Sequence, residues 1–293
     1  LPTALLLGAG YTARHAAKAL MQQGYHIVGT TRSERSAESL KKWGITPLIT
    51  QRLDNPALKS HFETADLIIS SIPPQKSPEV CEGGRAYYDL ALCALQGLKP
   101  AARWIGYLSA TSVYGDRDGR WAFEGEAATP QLKRGKARAE AELEWLETLW
   151  PVHIFRLAGI YGPGRNPFRK LKDGSARAVI KDGHVVNRIH VEDITSALVA
   201  SIKAPNPQRI YNIADGHPAP PQVVLDYAAN LLDVPKPPRV SMDHESVSKM
   251  AASFYSETKR IDISRAQSEL GWSPRYKDYR AGLSALMQKA ADD

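Results

Sequence analysis

Residues 4–13 read Ala4-Leu5-Leu6-Leu7-Gly8-Ala9-Gly10-Tyr11-Thr12-Ala13. A short apolar run passes into Gly8-x-Gly10-x-x-Ala13, and the chain then takes up helical spacing over Thr12–Gln22. That order is the fingerprint of a dinucleotide-binding strand, turn and helix. Gly8 permits the tight turn, Gly10 lets backbone approach a pyrophosphate, and the small Ala13 lets the helix lie close to the sheet. The helix start offers unpaired N–H groups and the positive end of its dipole to phosphate. Tyr11 and Thr12, in the same turn, are expected to bind the cofactor with them.

Outward from this loop, apolar runs alternate with helical stretches. Strands are expected at Thr3–Leu7, His26–Gly29, Thr46–Ile49, Leu67–Ser71, Trp104–Ser109 and Val152–Leu157. Helices are expected around Ser36–Trp43, Glu79–Leu98 and Leu132–Leu149. Such alternation predicts an α/β fold, a Rossmann doubly wound parallel sheet covered on both faces. Beyond Tyr161 the pattern loosens into turns, with helices around Val223–Leu232, Ser264–Leu270 and Tyr279–Ala290. The expected division is a Rossmann domain over 1–165 and a small mixed substrate domain over 166–293. Segments around 185–215, with a strand at Val185–His190, are expected to return to the first.

A NAD site usually carries an acid at the end of the second strand. Here that place reads Thr30-Thr31-Arg32-Ser33. Thr31, Arg32 and Ser33 can hydrogen-bond a 2′-phosphate, and Arg32 presents a planar fork. NADP(H) is therefore favoured over NAD(H).

The chain has 293 residues, 43% of them hydrophobic, which is ample for a core and unlike a disordered chain. No run of about 18 apolar residues predicts a membrane span. Two cysteines, Cys81 and Cys93, give neither a disulfide scaffold nor a metal-ligand spacing. Both are expected to be inert thiols, which points to a reducing, cytoplasmic compartment. The net charge of +7 is spread out. Its densest cluster, Lys133, Arg134, Lys136 and Arg138, runs into Glu140, Glu142, Glu144 and Glu147 and reads as a solvated helix face. Glu124 and Glu126 read as solvent-facing or as a helix-start feature. No nucleic-acid-binding module accompanies the charge, so nucleic acid is not expected as a partner.

Further landmarks are Leu53-Asp54, Ser109-Ala110-Thr111-Ser112-Val113-Tyr114-Gly115, the run from Arg156 through Tyr161-Gly162-Pro163-Gly164, Arg188-Ile189-His190-Val191-Glu192-Asp193, Tyr211-Asn212-Ile213 and Leu270-Gly271-Trp272-Ser273-Pro274. With the glycine loop, they make nearly the whole chain resemble the extended short-chain dehydrogenase/reductase family of sugar-nucleotide epimerases and dehydratases. The resemblance implies a Rossmann domain holding NAD(P) and a smaller domain holding substrate. It implies that Asp54 contacts adenine and that Ser70, Ser71 and Ile72 line the cofactor. It implies catalysis by a Ser or Thr, a Tyr, and a Lys four residues after the Tyr.

Two of those three positions are changed. The Ser/Thr place falls on Ala110, and the Tyr place maps to Leu132, leaving Lys136 as the remnant of the motif. This looks like the atypical subgroup that keeps the loop and loses the Tyr. Tyr255-Ser256-Glu257-Thr258-Lys259 also has the spacing, but comes too late and reads as a chance occurrence. His190 and Tyr88, with Tyr87 beside it, are candidate substitutes for the phenol. Arg188 is a candidate for a substrate phosphate, and no metal site is expected.

The reading is an NADP(H)-binding oxidoreductase or epimerase, acting on a carbonyl or nucleotide-sugar-like substrate. The alternative is a non-catalytic NADP(H) sensor or scaffold. A monomer or homodimer is expected, and the resemblance implies that Glu79–Leu98 and Leu132–Leu149 would form the contact in a dimer.

Overall fold

The computed structural model describes residues 1–75 and 86–292. In chain order its elements are β1 (Thr3–Leu7), α1 (Tyr11–Gln22), β2 (His26–Thr31), α2 (Glu34–Lys42), β3 (Thr46–Ile49), α3 (Pro56–Thr64), β4 (Leu67–Ser70), α4 (Leu90–Leu95), β5 (Trp104–Ala110), a 3-10 turn (Thr111–Tyr114), β6 (Trp121–Ala122), α5 (Lys133–Glu147), β7 (Val152–Leu157) and β8 (Gly159–Tyr161). The rest are α6 (Phe168–Lys172), β9 (Ala178–Val179), β10 (Arg188–His190), α7 (Val191–Lys203), β11 (Ile210–Ile213), α8 (Pro221–Leu231), β12 (Arg239–Val240), α9 (Lys249–Tyr255), β13 (Arg260–Ile261), α10 (Ser264–Leu270) and α11 (Tyr279–Asp292).

Seven strands form one parallel sheet in the order β11-β7-β5-β4-β1-β2-β3. The chain winds one way from β1 to β3 and the other way from β4, so the switch lies between β1 and β4. In open α/β sheets ligands bind outside the carboxyl ends of the strands at such a point. Register aligns those ends: Leu7 pairs with Ser70, and Ala110 with Leu157.

The strands β1 and β4 are largely apolar, and with β7 they are almost wholly buried, because helices cover both faces. On one face α1 turns Thr12, Ala13, Ala16, Ala17 and Leu20 inward, and its small residues let it pack against α7. On the other, Trp145 of α5 stacks on Tyr107 of β5 at 5.7 Å between ring centroids. A third apolar cluster joins α6, α8 and α11 through Phe168, Val224, Ala228 and Leu283.

Several expectations are corrected here. The helix expected over Glu79–Leu98 is, among the described residues, only Leu90–Leu95, and positions 86–88 are not helical. Asp89 caps it, accepting from Ala91 N and Leu92 N at 2.8 and 3.3 Å, while Tyr88 N and Asp89 N donate to the Glu144 carboxylate. These side-chain acceptors satisfy donors that a longer helix would have paired within itself. Leu95 is buried in the core. The strand expected at Val185–His190 is short and pairs with β8, outside the seven-stranded sheet. Glu124 is buried, not solvent-facing, because its carboxylate accepts Asn212 N at 2.8 Å. Cys93 is disulfide-bonded rather than a free thiol, and Cys81 lies outside the described residues. Among the described residues no helix is long and apolar enough to cross a membrane, and no cluster suits a metal ion.

Candidate active site

The phosphate loop is held from both sides. Gly8 N donates to Thr30 Oγ1 at 2.7 Å, Ala9 N to Thr30 O at 3.1 Å, and the Ser71 hydroxyl to Gly8 O. Gly8 sits at φ +82°, and a Cβ there would lie 3.0 Å from Ile72 Cγ1, so the turn needs glycine. Gly10 caps α1 without any side-chain acceptor, and a Cβ built on it would meet no protein atom within 4 Å. The open space above Gly10 and the uncapped helix N-terminus fit a dinucleotide pyrophosphate.

A cavity of about 690 Å³ starts at Gly10, Tyr11 and Thr12 and runs past Ser71 and the end of β5. Its far wall comes from the C-terminal part of the chain: His184, Asn187, Arg188, Tyr255, Glu257 and Lys259. Tyr11 donates from its hydroxyl to Pro163 O at 3.0 Å, and burial pushes its pKa up to about 12.

The floor of the cavity includes Ser109, Ala110, Thr111, Ser112, Arg134 and Arg138. Gly135 lets α5 approach the 3-10 turn, since a Cβ there would stand 2.6 Å from Ser112 O. The close approach sets Arg134 and Arg138 on the cavity. Arg138 Nη1 donates to Leu108 O at 3.0 Å and Tyr107 Oη at 3.1 Å. Arg134 donates to Ser253 Oγ and O at 2.6 and 3.1 Å, with its guanidinium 4.3 Å from the Phe254 ring centroid. Beneath them Ser109 donates to Glu142, which pairs with Arg156.

The remaining expected residues fall as follows. Ser70 is fully buried at the end of β4, and its hydroxyl has no partner. Thr31 ends β2, the exposed Arg32 follows it, and Ser33 caps α2 by accepting from Ser36 N. Asp54 is exposed and paired with Arg52 at 3.0 Å. Lys136 is exposed and, like Leu132 at the helix cap, does not line the cavity. His190 does not line it either: its Nδ1 caps α7 by accepting from Glu192 N at 3.2 Å, and its ring packs on Tyr161 and Tyr276. Tyr88 packs against the core with Tyr87. Arg188 does line the cavity, with Nη1 donating to Val186 O and Ala219 O.

Sequence reasoning found Arg188 but missed the rest of the far wall and the two arginines of α5. Arg134 and Arg138 have the i, i+4 spacing expected of the Tyr and Lys, and buried Glu142 follows four residues later. Tyr255 and Lys259, read as a chance motif, both reach the cavity. They share no helix, since Tyr255 ends α9 and Lys259 precedes β13. His184 is 2% exposed, its Nδ1 lies 2.7 Å from Thr258 Oγ1, and its Nε2 has no partner. Burial pushes its pKa down to about 4, so the ring is neutral. Lys259 is paired with Glu257 at 2.7 Å.

The fold is that of the extended short-chain dehydrogenases/reductases, a seven-stranded Rossmann-like parallel sheet with a smaller C-terminal region. Residues 3–89 match a family described as NADP oxidoreductase, coenzyme F420-dependent. Protein YeeZ of Escherichia coli (strain K12) is 31% identical over 284 residues, covering 93% of this chain and 96% of that one. The chain belongs to the same family as Protein YeeZ. A conserved protein of unknown function from Silicibacter pomeroyi DSS superposes with a TM-score of 0.86 at 41% identity, over 99% of each chain. MoeE5 in complex with UDP-glucose and NAD superposes with a TM-score of 0.78 at 19% identity, over 100% of this chain and 99% of that one.

Proposed function

We propose that this chain is an NADP(H)-dependent oxidoreductase or epimerase, acting at a carbonyl or hydroxyl carbon of a small anionic, sugar-like substrate. The observation that carries the reading is the continuous cavity, which joins the phosphate loop at Gly10 to Arg188 and Lys259 of the C-terminal wall. Its volume of about 690 Å³ is ordinary for a small-molecule site. MoeE5, of the same fold, holds a nucleotide sugar and NAD. The preference for NADP(H) draws on exposed Arg32, on Thr31 beside it, and on the want of an acid at the end of β2.

A bound nicotinamide would supply hydride exchange with a carbon. The chain must then hold or move a proton at the neighbouring oxygen, a task worth roughly 10²–10⁴-fold in rate. Ala110 has no hydroxyl for it. Tyr255 can hold such a proton on the C-terminal wall, its pKa raised by burial, beside neutral His184 at 4.8 Å between ring centroids. Gly10, Thr12, Ser71 and Ile72 are assigned to the cofactor side, and Arg188 to the substrate side.

The bare Ala110 favours a second reading, a protein that binds NADP(H) without turnover. Calorimetric titration with NADP⁺ and NAD⁺, followed by NADPH oxidation over a panel of sugar and hydroxy-acid carbonyls, separates the two. Tight NADP⁺ binding with turnover supports the enzyme, and tight binding with no turnover anywhere on the panel supports the sensor. Failure to bind either cofactor overturns both.

A further inference from the structure

We propose that Arg134 and Arg138 form a clamp for an acidic group, carboxylate or phosphate ester, carried by a sugar-sized substrate. The inference rests on the cavity being a substrate site, as above, and names the chemistry that site selects. The cavity is lined by Arg134, Arg138, Arg165, Arg188 and Lys259, while its acidic lining residue, Glu257, is already paired with Lys259. Among the described residues none of the four arginines takes part in an ion pair. A partly buried guanidinium without a counter-ion carries a desolvation cost that a ligand anion would relieve.

Arg138 is half-buried, and only its Nη1 is engaged, with Tyr107 Oη and Leu108 O. Its other N–H groups keep the fork geometry that fits a carboxylate or phosphate edge. Arg134, one helical turn earlier, is braced by Ser253 and Phe254 at the rim of the same cavity. The cofactor does not account for these charges, because the N-terminus of α1 provides for its pyrophosphate. The buried Nε2 of His184 and the buried Oε1 of Glu257 both lack partners and lie in the same lining, a donor-or-acceptor and an acceptor left for the hydroxyl groups of a sugar.

The test titrates the full chain, saturated with NADP⁺, with D-glucuronate, D-glucose 6-phosphate and D-glucose, at low salt and at about 0.5 M salt. One of the two acids is expected to bind at least about tenfold more tightly than glucose, with the advantage shrinking in high salt. Arg138→Met should abolish the advantage, Arg138→Lys should restore part of it, and NADP⁺ affinity should stay within about twofold throughout. The preferred acid identifies carboxylate or phosphate as the group read. Equal binding of all three sugars overturns the clamp, as does an advantage that survives in both Arg138→Met and Arg134→Met. Should Arg138→Met fail to fold, the exposed Arg134→Met and the salt dependence decide alone. A chain that takes no NADP⁺ would sink the cofactor reading instead, and the same titration without cofactor would still judge the clamp.

Discussion

Glu142 and Arg156 form a buried, forked ion pair, with Nη2 2.7 Å and Nε 3.2 Å from Oε2 and side chains 3% and 5% exposed. Burial works against the Arg156 charge, but the Glu142 carboxylate holds it protonated above its ordinary range. Arg156 also covers the Tyr114 ring at 4.7 Å, and the Tyr114 hydroxyl donates to Asn212. The pair therefore ties α5, β7 and β11 together below the cavity. Removing one partner strands the other charge, so Glu142→Gln should cost about 3–5 kcal/mol in urea unfolding. An unchanged midpoint would remove the pair from the account of stability.

Gly10→Ala separates fold from function. The added methyl meets no protein atom, and Gly10 already sits at φ −77°, so the free protein should melt within about 1–2 °C of the parent. The same methyl stands where a pyrophosphate must approach, so cofactor affinity should fall at least about tenfold by calorimetry. A large drop in melting temperature would mean the loop needs glycine for its own shape.

Arg32→Ala should weaken NADP⁺ by about 1.5–3 kcal/mol, the worth of a charge-assisted hydrogen bond, and leave NAD⁺ nearly unchanged. Parallel titrations of the two cofactors measure this directly. Loss of both affinities together would move Arg32 from the 2′-phosphate to a general role.

Stability should respond to pH in two opposed ways. Burial holds His153, His184 and His190 down to about 4, so the unfolded chain binds more protons between about 4 and 6.5, and their contribution is lost as pH falls through that window. Asp215 is 2% exposed with an unpartnered Oδ2, and burial raises its pKa to about 7. There the folded chain binds the extra proton, so stability falls as pH rises from about 4 to 7. Asp215→Asn should leave stability at pH 4 unchanged and raise it at pH 8 by an amount on the order of 2–4 kcal/mol. Superimposable pH–stability curves for the two proteins would refute this.

Much of the sheet was legible because parallel strands buried on both faces read as plain apolar runs: β1 begins and ends where expected, and β4 ends within one residue of its expected end. Helix α3 was not read, although Asn55 before Pro56 is a cap followed by proline in the first turn. β11 escaped because four residues including the buried, polar Asn212 give no apolar run; its side chain is satisfied by Ala122 O and Asp262 O, partners far away in sequence. On α5 Arg134 and Arg138 line the cavity and Leu132 and Lys136 do not, because a step of two residues turns a helix by about 200°. The same two-residue step separates exposed Glu140 from buried Glu142. The C-terminal wall was illegible for a different reason: His184, Tyr255 and Lys259 meet only through tertiary folding.

The sheet's last strand arrives late. β11 reaches the ribosome exit after residue 200, and the groups that secure it, Asp262 and Glu269, come later still, with Glu269 taking Arg209 at the strand's head. During synthesis β7 therefore waits with a bare hydrogen-bonding edge, a template for pairing with another chain. A fragment stopped at residue 165 would keep that edge permanently, so expressing residues 1–165 alone should yield more aggregate than expressing residues 1–293.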